Sequence, residues 1–206
     1  VHESQSRLWE NHVGRSLRFW RLAYPRLQSV FPILTEQSVE QFHRALNAVG
    51  NGPIRTEADE LSYDFHIILR TELERGLIDG SLSVADLPAA WNAAMERDLG
   101  IRVARDSDGV LQDIHWSMGQ FGSFCSYTVG NVLAAQVWQT VATDDVLAAI
   151  EGGDFAPLRS ALTDRIYRHG RRLSPPDLIK AATGRPLEAA PYLDYLEGKY
   201  SALYGI

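Results

Sequence analysis

A single, compact, all-α domain is the fold this sequence predicts. Apolar residues recur at three- and four-residue spacing through most of the 206 residues. Helix-start and helix-stop residues punctuate that pattern. No alternating apolar and polar run long enough for a strand stands out beyond the short Ile101-Arg102-Val103. With 45% hydrophobic and 22% charged residues the chain has material for a sizeable core. Neither repeats nor long linkers divide residues 1–206, which reads as one domain.

The first helix is expected over residues 3–23, where Leu8, Trp9, His12, Leu17, Phe19, Trp20 and Ala23 fall at roughly helical spacing. Pro25 is expected to break it. After Pro32, Ser38-Val39-Glu40-Gln41 has the form of a capping box, with Gln41 reaching back to the Ser38 amide. That helix runs through Phe42, Ala45, Leu46 and Val49 and stops at Gly50-Asn51-Gly52-Pro53. Residues 54–76 read as the clearest helix, with Leu61, Phe65, Ile68, Leu69 and Leu73 as its apolar stripe and Gly76 as its end. Glu57, Asp59 and Glu60 lie in its first turns, where the helix dipole favours acids. A helix over 84–99 carries Leu87, Trp91, Ala94, Met95 and Leu99. Arg105-Asp106-Ser107-Asp108-Gly109 is a turn cluster. Residues 125–150 are apolar, Ala-rich and expected to be buried. Asp154-Phe155-Ala156-Pro157 opens a helix reaching about Tyr167. Ser174-Pro175-Pro176-Asp177 opens another, with Pro in its first turn. Tyr192, Leu193, Tyr195, Leu196, Tyr200, Leu203 and Tyr204 mark the last.

Composition excludes several classes of function. A formal net charge of -6 argues against broad attraction to nucleic acid or anionic lipid. No stretch reaches the ~20 apolar residues of a membrane-spanning helix. The single Cys125 cannot form an internal disulfide, which favours a reducing compartment. No signal peptide or lipidation motif is visible. The chain begins without Met on a charged and aromatic cluster suited to the inside of a folded site, so it reads as the C-terminal piece of something longer.

Four segments hold polar residues that a core does not need. In His2-Glu3-Ser4-Gln5-Ser6-Arg7, Glu3 on a helix can ligate a metal; the competing reading is a solvated first turn. In Ile54-Arg55-Thr56-Glu57-Ala58-Asp59, Arg55 at a Gly-Pro turn can grip a carboxylate bidentately, or simply pair with Asp59 four residues on. Gly109-Val110-Leu111-Gln112-Asp113-Ile114-His115-Trp116 and the following Phe121–Tyr127 crowd Gln, Asp, His, Trp and Tyr into a Gly-punctuated stretch. There His115 and Tyr127 can donate to a developing oxyanion, or belong to a structural network oriented by Asp113. In Tyr167-Arg168-His169-Gly170-Arg171-Arg172, three Arg make a local positive patch, either a solvated helix end or a second carboxylate anchor. His12, His43 and His66 have no metal-spaced partner and read as structural. The chain has no phosphate-binding Gly-rich loop, no CxxC and no G-x-S-x-G.

In order along the chain, these segments resemble the thermostable carboxypeptidase family typified by carboxypeptidase Taq. The residues that carry the likeness are His2-Glu3-Ser4-Gln5, Ile54–Asp59 and Gly109–Trp116. The tail adds His169-Gly170-Arg171-Arg172, Thr183-Gly184, Lys199-Tyr200 and Leu203-Tyr204. The resemblance implies the C-terminal half of a larger, helical, zincin-like metallopeptidase with a deep cleft, which removes C-terminal amino acids. In that family an H-E-x-x-H helix precedes the H-E-S motif. Its two His bind zinc (or cobalt), its Glu activates water, and the Glu of H-E-S is the third protein ligand. Residues four apart on a helix face the same way, so both imidazoles reach one ion. Glu3 matches the third ligand, but no H-E-x-x-H occurs in this sequence. The resemblance therefore implies that the family's N-terminal half is missing and that these residues alone are inactive. It implies that Arg55 holds the substrate's terminal carboxylate, that Gln112 and Asp113 line or brace that pocket, and that His115 and Tyr127 stabilise the oxyanion. Arg172 is the reserve anchor. Peptides with a free C-terminus, a homodimeric assembly and a cytoplasmic location are implied as well. Ser123 and Cys125 depart from the aromatic and Pro of the family pattern, and Cys125 reads as a small buried residue. The alternative from another class is a non-catalytic helical interaction module whose uncovered apolar wall drives oligomerisation. A dipeptidyl carboxypeptidase shares the ligand logic but fits the second and third runs less well.

Overall fold

The computed structural model describes residues 1–206, and every regular element in it is helical. The chain forms two compact units, one from residues 1–46 and 129–206, the other from residues 47–128. Each has its own core.

The first unit begins with α1 (His2–Arg7), which continues into a π-helical stretch, Leu8–Gly14. The wide turn is closed by the Arg15 amide on the Glu10 carbonyl, five residues back, at 2.8 Å. It buries Leu8, Asn11, His12 and Val13. Helix α2 (Leu17–Val30) starts at Ser16, whose hydroxyl accepts from the Phe19 amide at 3.2 Å. Pro25 lies inside α2 and does not end it, contrary to expectation. Anchors on both sides of the proline explain this: the Tyr24 hydroxyl before it and the Gln28 side-chain amide after it both donate to the Leu34 carbonyl, each at 3.1 Å. The Phe42 ring of α3 (Val39–Leu46) also packs 4.6 Å from Trp20 and 4.9 Å from Tyr24. Helix α3 opens with the expected capping box. The Gln41 amide donates to the Ser38 hydroxyl at 3.1 Å, and the Ser38 amide to the Gln41 side chain at 2.8 Å.

In the second unit, α4 spans Tyr63–Asp79 rather than 54–76. Only a short 3₁₀ turn, Arg55–Glu57, forms ahead of it. The Asp59 carboxylate is the reason for the late start. Its Oδ1 accepts from the Leu61 and Ser62 amides, both at 2.9 Å, and its Oδ2 from the Ser62 hydroxyl at 2.6 Å. The helix ends at left-handed Gly80, φ 79°. Its apolar stripe also differs from expectation: Phe65 and Ile68 are 47% and 45% exposed. Leu69 and Leu73 are buried as expected, and Ile67 joins them, beside Tyr63, His66, Arg70 and Glu74. Helix α5 (Leu87–Leu99) packs Trp91, Ala94, Met95 and Leu99 against α4. Ile101–Val103 forms no strand.

The apolar stretch at 125–150 becomes two helices, α6 (Cys125–Val141) and α7 (Asp144–Glu151). The Thr143 side chain caps α7. Leu133, Val137 and Ile150 from these helices join Leu158, Leu162 and Leu178 in the core of the first unit. Those three come from α8 (Ala156–Arg165) and α9 (Pro175–Thr183). Helix α9 starts where expected, with Ser174 as its cap and Pro in its first turn. Helix α10 (Ala190–Tyr204) closes the chain. Cys125 is exposed, not buried, because it sits in the first turn of α6, with its thiol on the Gly122 carbonyl.

Candidate functional site

The second unit gathers five of the residues singled out from sequence. Arg55, on the 3₁₀ turn, is 8% exposed. Its Nε and Nη2 both donate to Asp113 Oδ1, at 3.0 and 2.7 Å, and its Nη1 donates to the Tyr63 hydroxyl at 3.2 Å. Its expected alternative partner, Asp59, is instead occupied with capping. Arg70 of α4, fully buried, donates from Nε to the other Asp113 oxygen at 2.7 Å. Two guanidiniums therefore share one carboxylate. Burial opposes ionisation of Asp113, but the hydrogen bonds from Arg55 and Arg70 and the charges of both outweigh it and hold the carboxyl below its ordinary range. Burial likewise works against Arg55, and Asp113 followed by Tyr63 raises its pKa in net. Arg70 is pushed down to about 10, chiefly by burial, with Asp113 opposing. The Trp91 ring, 4.5 Å from the Arg70 guanidinium, completes its surroundings.

Gln112 is a brace. Its Oε1 accepts from the Arg55 amide at 2.8 Å, and its Nε2 donates to the Pro53 and Asp108 carbonyls at 3.0 and 2.9 Å. Gly109 begins this run because nothing larger fits: a Cβ there would lie 2.8 Å from the Val103 side chain. His115 and Tyr127, twelve residues apart, meet through Nε2 and the phenol oxygen at 3.2 Å. The His115 ring lies 4.2 Å from that of Phe124, and its buried Nδ1 makes no hydrogen bond. Its pKa is lowered, first by burial and then by Arg55 and Arg70, with Asp113 and Glu74 opposing, so the ring is neutral near pH 7. The Arg55 guanidinium lies 5.3 Å from the centre of the Tyr127 ring. Three of the five Arg55 N–H donors are engaged. The remaining two are what it can offer a second carboxylate.

Arg70, Tyr63 and Glu74 escaped the sequence reading. Tyr63, His66, Arg70 and Glu74 are spaced three to four residues apart on one face of α4. That periodicity is a usable signal, hidden because Phe65 and Ile68 widen the apparent apolar stripe beyond the buried Leu69 and Leu73.

Glu3 belongs to the first unit. Its carboxylate lies 3.4 Å from Arg7 Nε and its side chain is 35% exposed. It passes close to α6 at Gly130, where a Cβ would come within 3.0 Å of Glu3 Cγ. No group of three or more His, Cys, Asp or Glu side chains is arranged to hold a metal ion. One carboxylate beside a guanidinium does not fit zinc, whose sites use three or four protein donors or a water in the fourth position. Arg172, also in the first unit, donates to the Arg168 and His169 carbonyls at 2.8 and 3.3 Å. Its neighbour Arg171 lines a cavity of about 880 Å³ with His2, Gln5, Tyr167 and Leu178.

Comparison with known proteins identifies a family. Residues 1–200 match the family model described as carboxypeptidase Taq (M32) metallopeptidase. The chain is 47% identical to thermostable carboxypeptidase 1 of Thermus thermophilus over all of its length and 41% of the relative's. It is 42% identical to carboxypeptidase 1 of Bacillus subtilis, over 99% of the chain and 41% of that protein. The M32 carboxypeptidase structure from Deinococcus radiodurans superposes with a TM-score of 0.97 at 50% identity, covering 100% of this chain and 42% of that one. Metallocarboxypeptidase 1 of Trypanosoma cruzi gives 0.91 at 35% identity, over 97% of this chain and 41% of that one. These likenesses define the class as helical metallopeptidases. Within it, the chain belongs to the carboxypeptidase Taq (M32) family, and it spans about two fifths of the length of the relatives it matches.

Proposed function

We propose that this chain is the C-terminal portion of a metal-dependent carboxypeptidase that releases C-terminal amino acids from peptides. The observation that carries the reading is the fixed Arg55 guanidinium, raised in pKa and with two donors to spare, in the same unit as the His115–Tyr127 pair. A cation held in place recognises a free chain end, which makes the enzyme an exopeptidase. Asp113 and Gln112 hold Arg55 in position, from its side chain and its backbone amide respectively.

The metal that the family's description implies is proposed to be zinc, with cobalt the other candidate. Glu3 is proposed as the one ligand these residues contribute, so alone they are inactive. Of the pair at the reacting carbonyl, Tyr127 is the member that touches substrate. It is half-buried, whereas the Nδ1 atom of His115 is sealed from solvent. His115 keeps the phenol oriented, and Tyr127 donates to the oxygen on which negative charge develops. A homodimer in a reducing cytoplasm completes the reading.

The test uses the complete gene product, a peptide with a free C-terminus and the same peptide amidated. Wild type is expected to cleave only the former. Arg55→Ala should raise KM for the free acid and erase the discrimination; retained discrimination would put the clamp elsewhere. Glu3→Ala should lose metal by elemental analysis, and stoichiometric zinc in that variant would refute the ligand assignment.

A further inference from the structure

We infer that Glu74 is a positioning residue for the His115–Tyr127 pair, holding the loop from which both extend; the inference rests on the proposed role of that pair. Glu74 lies on the buried face of α4, one turn beyond Arg70, and is 6% exposed. A buried carboxylate is costly unless its oxygens are satisfied. No Lys or Arg pairs with it. Instead Oε2 accepts from the Trp116 indole N–H at 3.1 Å, and Oε1 accepts from the Gly122 amide. Both bonds are charge-assisted, the stronger kind.

The two donors lie at opposite ends of a loop with no regular structure, in which Gly119 and Gly122 take left-handed φ values of 70° and 75°. Within it, short-range bonds such as the Gln120 amide on the His115 carbonyl, 2.8 Å, close local turns. They do not fix the loop to the rest of the unit. Glu74 does so, at its entry and at its exit. His115 immediately precedes Trp116. Phe124, two residues after Gly122, is 1% exposed and supports the His115 ring. Tyr127 comes one turn later, its amide on the Phe124 carbonyl at 3.1 Å. The 3.2 Å contact between His115 and Tyr127 thus joins two segments that leave the loop at the points one carboxylate holds.

Glu74→Gln in the complete gene product is the test. An amide offers one acceptor and one donor group, so it can keep one of the two N–H partners and opposes the other. The expected result is a fall in kcat of up to about 100-fold, in line with the effect of displacing a reacting group by about 1 Å. KM for the free-acid peptide and metal content should be unchanged. The Trp116 indole N–H resonance should shift. Wild-type kcat with the indole resonance shifted would overturn the inference. Should Glu74→Gln fail to fold, Trp116→Phe removes only one donor. It is expected to lower kcat about threefold to tenfold, equivalent to losing one hydrogen bond, and an unchanged kcat there would equally overturn it. His115→Ala separates the two levels of argument. If that variant keeps full activity, the role proposed for the pair is wrong. If it is impaired while Glu74→Gln is not, only the inference about Glu74 falls.

Discussion

Asp113 has the most demanding electrostatic position in the chain, since Arg55 and Arg70 both depend on it. Asp113→Asn leaves two buried guanidiniums without their counter-charge and is expected to cost about 3–5 kcal/mol, the usual penalty for breaking a buried pair; urea unfolding measures it. Arg55→Ala should cost less, because Asp113 keeps Arg70. Two buried histidines set the response to acid. His12 is lowered to about 3 by burial and then by Lys199, and His66 to about 4 by burial and then by Arg70 and Arg55. Both are neutral in the folded protein at pH values where they are charged once unfolded. Between pH 6.5 and 4 the unfolded chain binds more protons, so stability falls as pH falls, by up to about 1.4 kcal/mol per pH unit for each histidine. Unfolding measured from pH 7 to 4.5 should show that slope, and His12→Phe should lessen it. From the sequence, His12 and His66 read as structural, and their placement in the interior fits that role. The partner of Arg55 was not legible. Asp59, four residues on, and Asp113, fifty-eight residues on, are equally acidic. Only the folded chain shows that Asp59 is taken up by the amides at the start of α4.

Helix boundaries that depend on a few adjacent residues were readable, and those that depend on distant packing were not. The Ser38–Gln41 box and the Ser174-Pro175-Pro176 start are complete within four residues, and both formed as expected. The continuation of α2 past Pro25 was not readable because its anchors on either side, Tyr24 and Gln28, both rest on the Leu34 carbonyl beyond the helix. The polar part of the buried face of α4 was not readable because Arg70 and Glu74 find their charged and indole partners in the distant 109–122 segment. The approach of α1 to α6 gives a further prediction. In Gly130→Ala, helix propensity gains about 1 kcal/mol. The added methyl, within 3.0–3.2 Å of the Glu3 side chain, costs about 1–3 kcal/mol of overpacking. A lowered melting temperature is expected, with Glu3 displaced; a raised one would mean that α1 yields freely. The π-helical turn has its own consequence. Deleting one residue between Leu8 and Gly14 would restore ordinary winding but rotate α1 by about 100° relative to α2, turning Glu3 away from Gly130.

Across the full 206 residues, the all-α class and the family were both readable from sequence, the first from periodicity and the second from three ordered motifs that a carboxypeptidase model also matches. The division into two units was not foreseen, since no linker composition marks residues 46 or 128. These 206 residues, expressed alone and supplied with zinc, are expected to release no amino acid from a free-acid peptide by mass spectrometry, because they bring one carboxylate to a site that needs at least three donors. Detectable turnover would mean that the ligand set lies elsewhere in the chain. Finally, the sole sulfhydryl of this sequence opens outward two positions before the Tyr127 phenol. It is a ready attachment point for a maleimide fluorophore or spin label, and a reporter there would register loop motion in real time without any engineered cysteine.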